Sequence, residues 1–199
     1  MSPAHVLEPT YDALRRRLVA GDWPPGYRLE AMRLADELGV SITPVRDALN
    51  RLTGERLVES EPGEGFRVPR LDGGDLRTTF AWHHRLMTIA MRWRTGKLLA
   101  IEIPQGHGGI GERTALLFGS IAATAGNAEL NRAVSQAAAR LNPYRKEEAT
   151  VFTDVADELA EMEQLARGPA RSPLVNAIGR YHDRRELAAD RLAHLPKDE

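Results

Sequence analysis

The stretch that most constrains this chain is Gly39–Leu52, GVSITPVRDALNRL. Gly39 suits the left-handed conformation that closes a helix. Thr43 suits an N-cap and Pro44 a first helical position, where no backbone donor is lost. Val45, Ala48, Leu49 and Leu52 then recur at i, i+3, i+4 and i+7, so one face is apolar. The opposite face carries Arg46, Asp47, Asn50 and Arg51. A helix ending in glycine, a tight turn and a second amphipathic helix make a helix-turn-helix.

The flanking sequence extends the motif. Tyr11–Ala20 carries a helical stripe of Tyr11, Leu14, Leu18 and Val19, with Gly21 as its stop. GDWPPGYRL reads as a turn-rich connector, and Glu30–Leu38 as a helix with Leu34, Ala35 and Leu38 inward. After Leu52, RLVES and GFRVPR read as two short strands around the glycine-containing turn EPGEG. This order predicts a winged helix-turn-helix over residues 1–70.

From Asp72 the pattern changes. DGGD reads as a linker, and only helical periodicity follows, with no strand alternation and no internal repeat. The expected helices are 76–99, 112–125, 128–141, 144–166 and 172–195, with breaks at PQGHGGIG, AGN, NP and RGPARSP. The fold class is therefore mainly α: a winged helix-turn-helix with a small β-hairpin wing, then an all-α bundle of about five helices over residues 71–199.

Composition narrows the chemistry. The 199 residues include no cysteine, so thiolate metal sites, disulfides and cysteine nucleophiles are excluded. The N-terminus lacks an apolar signal region, and no apolar run approaches a membrane span, so a cytoplasmic protein without membrane contact is expected. Residues 1–70 hold 10 Lys and Arg against 11 Asp and Glu, and residues 71–199 hold 17 against 17. Contact with nucleic acid must then come from a local patch, not a global field. No nucleophile–base–acid grouping points to an enzyme.

The N-terminal 70 residues resemble the GntR family of bacterial transcription regulators. The residues carrying the resemblance are Tyr11, Leu14, Gly21, Pro25-Gly26, Leu29, Leu34-Ala35, Leu38–Ser41, Thr43–Leu49, Arg51-Leu52, Leu57-Val58, Gly65-Phe66 and Val68. An all-helical domain directly after the wing resembles the FadR-type branch, with LFGSIAATAGNAEL and NAIGRYHDRRELAADRLAHL as its weaker marks. The resemblance implies a homodimer on a pseudo-palindromic double-stranded operator, acting as a repressor under a small-molecule effector held by the helical domain. A dimeric DNA binder controlled by a protein partner, with no metabolite in its second domain, is the alternative.

By that resemblance the DNA-contacting residues are Arg33, Ser41, Ile42, Thr43, Arg46, Asn50, Arg51 and Gly65. Arg46 is the strongest, because a guanidinium takes guanine in a bidentate way. Ser41 and Thr43 also serve as ordinary turn and cap residues, and Arg51 lies one turn after Asp47, with which it could pair. Arg15, Arg16 and Arg17 are either compensating backbone contacts or a solvated face. Ile42 stands where the family usually has arginine, and Glu64 where a basic wing tip is common. Both departures are expected to weaken the electrostatic part of binding.

FadR-type domains often hold a divalent metal on one aspartate and three histidines. The corresponding positions here are Ala115, Gly119, Arg171 and His194, which leave one donor, so neither a metal nor another cofactor is expected. His84 and His194 are the ligand-binding candidates. His83 is expected to be a surface or partly packed histidine, and His182 to sit at a solvated helix end. GHGGIGER at 106–113 lacks the strand and Lys-Ser/Thr of a phosphate loop and is expected to be an interhelical loop. Trp82 and Trp93 are expected in core, interface or an apolar pocket.

Overall fold

The computed structural model describes residues 4–61, 63–93 and 109–194. They fall into two compact units that divide between Arg70 and Leu71.

The first unit contains α1 (Ala4–Ala20), β1 (Arg28–Leu29), α2 (Ala31–Leu38), α3 (Ile42–Gly54), β2 (Glu59–Glu61) and β3 (Gly65–Arg67). The strands form one antiparallel sheet in the order β1-β3-β2, with Arg28 opposite Arg67 and Leu29 opposite Phe66. The predicted apolar face of α3 is the core of this unit: Val45, Ala48, Leu49 and Leu52 are wholly buried, joined by Tyr11, Leu14 and Leu18 of α1 and by Leu34 and Ala35 of α2. Gly39 takes φ 66° after α2, and the Val40 amide reaches back to the Ala35 carbonyl. That arrangement satisfies a helix-end carbonyl and turns the chain into α3.

Three local expectations are corrected. α1 begins at Ala4 rather than Tyr11 and runs through Pro9, with the Thr10 hydroxyl donating to the Val6 carbonyl. The N-cap of α3 is Ser41, in extended conformation, which moves Thr43 and Pro44 into the first turn. Proline is harmless there too, because the first four amides of a helix have no intrahelical acceptor. The connector before α2 contains β1, a strand too short to show alternation in sequence.

The second unit is helical throughout its described residues: α4 (Gly73–Trp93), α5 (Ile110–Ala123), α6 (Ala128–Lys146), a 3-10 turn (Glu148–Thr150), α7 (Val155–Arg167), α8 (Arg171–Leu187) and α9 (Ala189–Ala193). α4 packs against α5, α6, α8 and α9. One apolar cluster gathers Met87, Leu117, Phe118, Ile121, Val134 and Leu174; another gathers Leu76, Phe80, Leu141, Tyr144 and Leu192.

The expected DGGD linker is instead the start of α4, where the Asp72 carboxylate accepts the Asp75 amide at 2.8 Å. Positions 94–99 of the expected first helix lie outside the described residues, as do 106–108 of the glycine-rich loop. Gly109 caps α5, so Ile110–Arg113 are its first turn rather than loop. The AGN break is present, with Asn127 capping α6 through the Leu130 amide. The NP break is not: α6 continues across Pro143 to Lys146. The chain breaks between Glu147 and Asp154 instead, and the expected last helix divides at Ala188. Among the described residues no helix is long and apolar enough to cross a membrane.

Candidate functional site

Ser41 ends its turn with the backbone extended, and α3 then presents Ile42, Thr43, Arg46 and Asn50 to solvent while its opposite side is buried. Thr43, Arg46 and Asn50 are spaced i, i+3 and i+7, so they share one side of the helix. Arg46 carries no hydrogen bond or ion pair among the described residues and lines a concavity of about 460 Å³ between α3 and the wing, with Arg28, Asn50, Ser60, Glu61 and Gly65. Gly65, at φ 85°, opens β3 in a conformation that favours glycine. Ile42 is 37% exposed.

Two of the expected DNA-contacting cations are already engaged. Arg33 donates to Glu37 at 3.0 Å and to the Tyr27 hydroxyl at 2.8 Å, while Glu37 also takes Arg17 at 2.8 Å. These two guanidiniums hold the Glu37 carboxyl below its ordinary range. Arg51 does not pair with Asp47. It donates to Glu8 at 2.7 Å, and its guanidinium lies 3.9 Å from the Tyr11 ring centre, joining α3 to α1. In the arginine triplet, Arg15 pairs with Glu55, and Arg17 also pairs with Asp22 and stacks on Trp23. In the wing, Arg67 donates to Glu61 at 3.1 Å and is held as well by Glu64. The Glu64 carboxylate is thus paired within the wing.

The second unit has a polar interior that single-helix reasoning missed. His83, expected at the surface or partly packed, is wholly buried on α4, and His182, expected at a solvated end, is wholly buried inside α8. His83 Nδ1 lies 2.8 Å from His182 Nε2, and His182 Nδ1 lies 2.7 Å from the Ile178 carbonyl. Burial pushes both imidazoles well below their ordinary range; the Arg145 charge adds to this at His83, and His84 and Arg145 add to it at His182. Both are neutral. A carbonyl only accepts, so His182 carries its hydrogen on Nδ1, and its Nε2 accepts from His83 Nδ1–H. His83 Nε2 is left as a buried acceptor with no partner among the described residues.

Beside it, Arg145 is wholly buried. Its Nε donates to the Tyr181 hydroxyl at 3.0 Å, while Nη1 and Nη2 have no hydrogen-bond acceptor among the described residues. Arg145 and His83 both flank the Phe118 ring, at 5.4 and 5.0 Å from its centre. Arg185, also buried, is held by Glu148 at 3.0 and 2.6 Å and by Glu158 at 2.7 Å.

The two expected ligand residues have different neighbours. His84 stacks on His182 at 4.9 Å, whereas His194 Nδ1 donates to the Asp190 carbonyl at 2.6 Å. The Asp190 carboxylate takes Arg77. Ala115, Gly119 and Arg171 offer no metal donor, so the four-ligand centre implied by the resemblance does not fit these residues. His84, Asp183 and Glu186 form a separate group, each with one donor atom within 4.8 Å of the others. Asp183 is exposed, and burial raises the Glu186 carboxyl above its usual range. Trp82 and Trp93 are 52% and 53% exposed, so neither is core in this unit.

Residues 8–68 match the family described as bacterial regulatory proteins, gntR family. The chain is 30% identical over 101 residues to an HTH-type transcriptional regulator from the TAR-I ttuE-ttuC′ intergenic region of Agrobacterium vitis, covering 51% of this chain and 56% of that one. It is 43% identical over 58 residues to the HTH-type transcriptional regulator McbR of Escherichia coli K12, covering 29% and 26%. The chain thus spans about half, or less, of the length of these relatives. In three dimensions it resembles Escherichia coli McbR/YncC, with a TM-score of 0.73 at 17% identity over 96% of this chain and 98% of that one. It also resembles a GntR regulator from Rhodococcus sp. RHA1, with a TM-score of 0.74 at 17% identity over 97% and 100%. At that identity the structural likeness speaks for the fold.

Proposed function

Residues 8–68 are a GntR-family helix-turn-helix domain, and from that premise we propose that the whole chain is a sequence-specific transcription regulator, a repressor whose DNA binding a small ligand controls. The observation that carries the DNA reading is Arg46: exposed, unengaged among the described residues, and aligned with Thr43 and Asn50 on the free side of α3. Such a helix in the major groove reads base edges with its first turns, while the wing steadies it on the backbone. Residues 1–70 serve as the DNA head, and residues 71–199 as effector and dimerisation domain.

A two-fold dimer places two recognition helices on half-sites of one pseudo-palindrome. Trp82, Ile89 and Trp93, all exposed on α4 at i, i+7 and i+11, give the helical domain an apolar stripe suited to a second copy. Effector control draws its support from Arg145 and His83 rather than from His84 and His194. Buried donors and an acceptor without partners are costly, and a ligand meeting both sets of hydrogen-bonding needs would bind there. Such a ligand shifts the heads only if it prefers one of their arrangements.

Selection of random duplex DNA by the purified protein at two salt concentrations tests the first claim, with recovery of a palindromic site expected. A folded dimer that enriches no sequence overturns it. Thermal shifts across a small-metabolite panel, repeated with Arg145→Leu, test the second; no ligand-specific shift in the wild-type protein favours control by a protein partner.

A further inference from the structure

We propose that Arg28, on β1, is a DNA-phosphate contact beside the recognition helix. The assignment rests on the DNA-binding reading above and adds a residue to it.

Alternation along the strand sends Leu29 into the core, where it is 2% exposed, and leaves Arg28 in solvent. Arg28 stands opposite Arg67 in the ladder. Two like charges at facing positions would ordinarily repel. Here Arg67 is held by Glu61 and Glu64, and its charge is offset inside the wing. Arg28 has no such carboxylate: among the described residues it makes no hydrogen bond or ion pair. It lines the same concavity as Arg46, Asn50, Ser60 and Gly65, and the two carboxylates that also line it, Glu61 and Glu64, are both taken by Arg67. Arg28 and Arg46 are therefore the two unengaged guanidiniums of that concavity, one on the sheet and one on α3.

Their different platforms give them different work. α3 is the element that enters a major groove, and Arg46 on it is placed for base edges. Arg28 projects from the sheet beside that helix, and a cation flanking a recognition helix meets the sugar-phosphate backbone, fixing register without reading sequence. The contact also gives the acidic wing a second point of attraction to the duplex.

The test uses the full chain as wild type, Arg28→Ala and Arg28→Lys, titrated at several salt concentrations with the selected site and a scrambled duplex. Arg28→Ala is expected to weaken both complexes by the same factor and to lower the salt slope by about 1 for each head. Arg28→Lys is expected to restore most of that slope, because phosphate accepts a point charge. Wild-type binding with an unchanged slope in Arg28→Ala overturns the assignment alone. A changed preferred sequence, or Arg28→Lys failing as Arg28→Ala does, identifies a base contact and overturns the phosphate role. Wild-type protein that binds neither duplex overturns the DNA-binding reading and this inference with it.

Discussion

His83 on α4 and His182 on α8 share one hydrogen bond of 2.8 Å, although 99 residues separate them in sequence. With Ile178 as the fixed acceptor at the far end, the chain of donors runs in one direction, from His83 to His182 to the backbone. Protonating either ring would set a cation in an interior whose burial already depresses both, with the Arg145 charge opposing it further.

The helical unit should therefore lose stability in mild acid. The folded rings stay neutral, while the unfolded chain takes up protons below the ordinary histidine value of 6.5. Stability contributed by the neutral pair is complete above that value and declines as pH falls toward the depressed folded values. The slope is about 1.4 kcal/mol per pH unit for each ring. Thermal unfolding followed by circular dichroism at pH 7.5, 6.5 and 5.5 checks this. An unchanged melting temperature down to pH 5.5 would contradict a neutral, buried pair.

The buried ion pairs supply a second expectation. Glu148→Gln leaves the Arg185 guanidinium in the interior with Glu158 as its remaining carboxylate. Breaking a buried pair from one side costs about 3 kcal/mol or more, because the remaining charge is poorly compensated. Urea unfolding of this variant should show a loss of that order. A loss below about 1 kcal/mol, the range of exposed pairs, would show that Glu158 suffices.

These interior groups mark where sequence reasoning stopped. The first unit was legible because its signals are local. The apolar spacing of α3 is the spacing of its buried face, and Gly39 turns where a left-handed residue was expected. β1 was missed because two residues carry no periodicity. In the second unit Pro143 suggested a break, but α6 continues to Tyr144, whose hydroxyl accepts the Leu71 amide, and Arg145, which bonds Tyr181. Those partners come from distant elements and outweigh the local cost of proline. The His83–His182 pair was invisible for the same reason. Each histidine taken alone looks like a surface residue, and only the packing of α4 on α8 joins them.

Arg46→Ala tests the recognition helix. The side chain is exposed and makes no intramolecular bond among the described residues, so the fold should be unaffected. Loss of a bidentate base contact costs about 1–3 kcal/mol and relaxes preference at one base position of each half-site. Fluorescence anisotropy with the selected duplex and single-base variants reads both effects. Undiminished affinity in a folded variant would remove Arg46 from the interface.

Ile42→Arg tests the departure that first set this helix apart. Ile42 opens α3, directly after the extended Ser41 cap, and is 37% exposed, whereas the core face of the helix is carried by the wholly buried Val45, Ala48, Leu49 and Leu52. A new guanidinium at the first turn would add a phosphate contact or take guanine. The first outcome raises affinity on every duplex and steepens the salt slope by about 1 per head. The second raises affinity on a changed preferred sequence. Repeating the selection with the variant distinguishes them. An affinity and salt slope equal to wild type would mean that position 42 faces away from the duplex, and that Arg46, with Thr43 and Asn50 beside it, reads the site without a contribution from position 42.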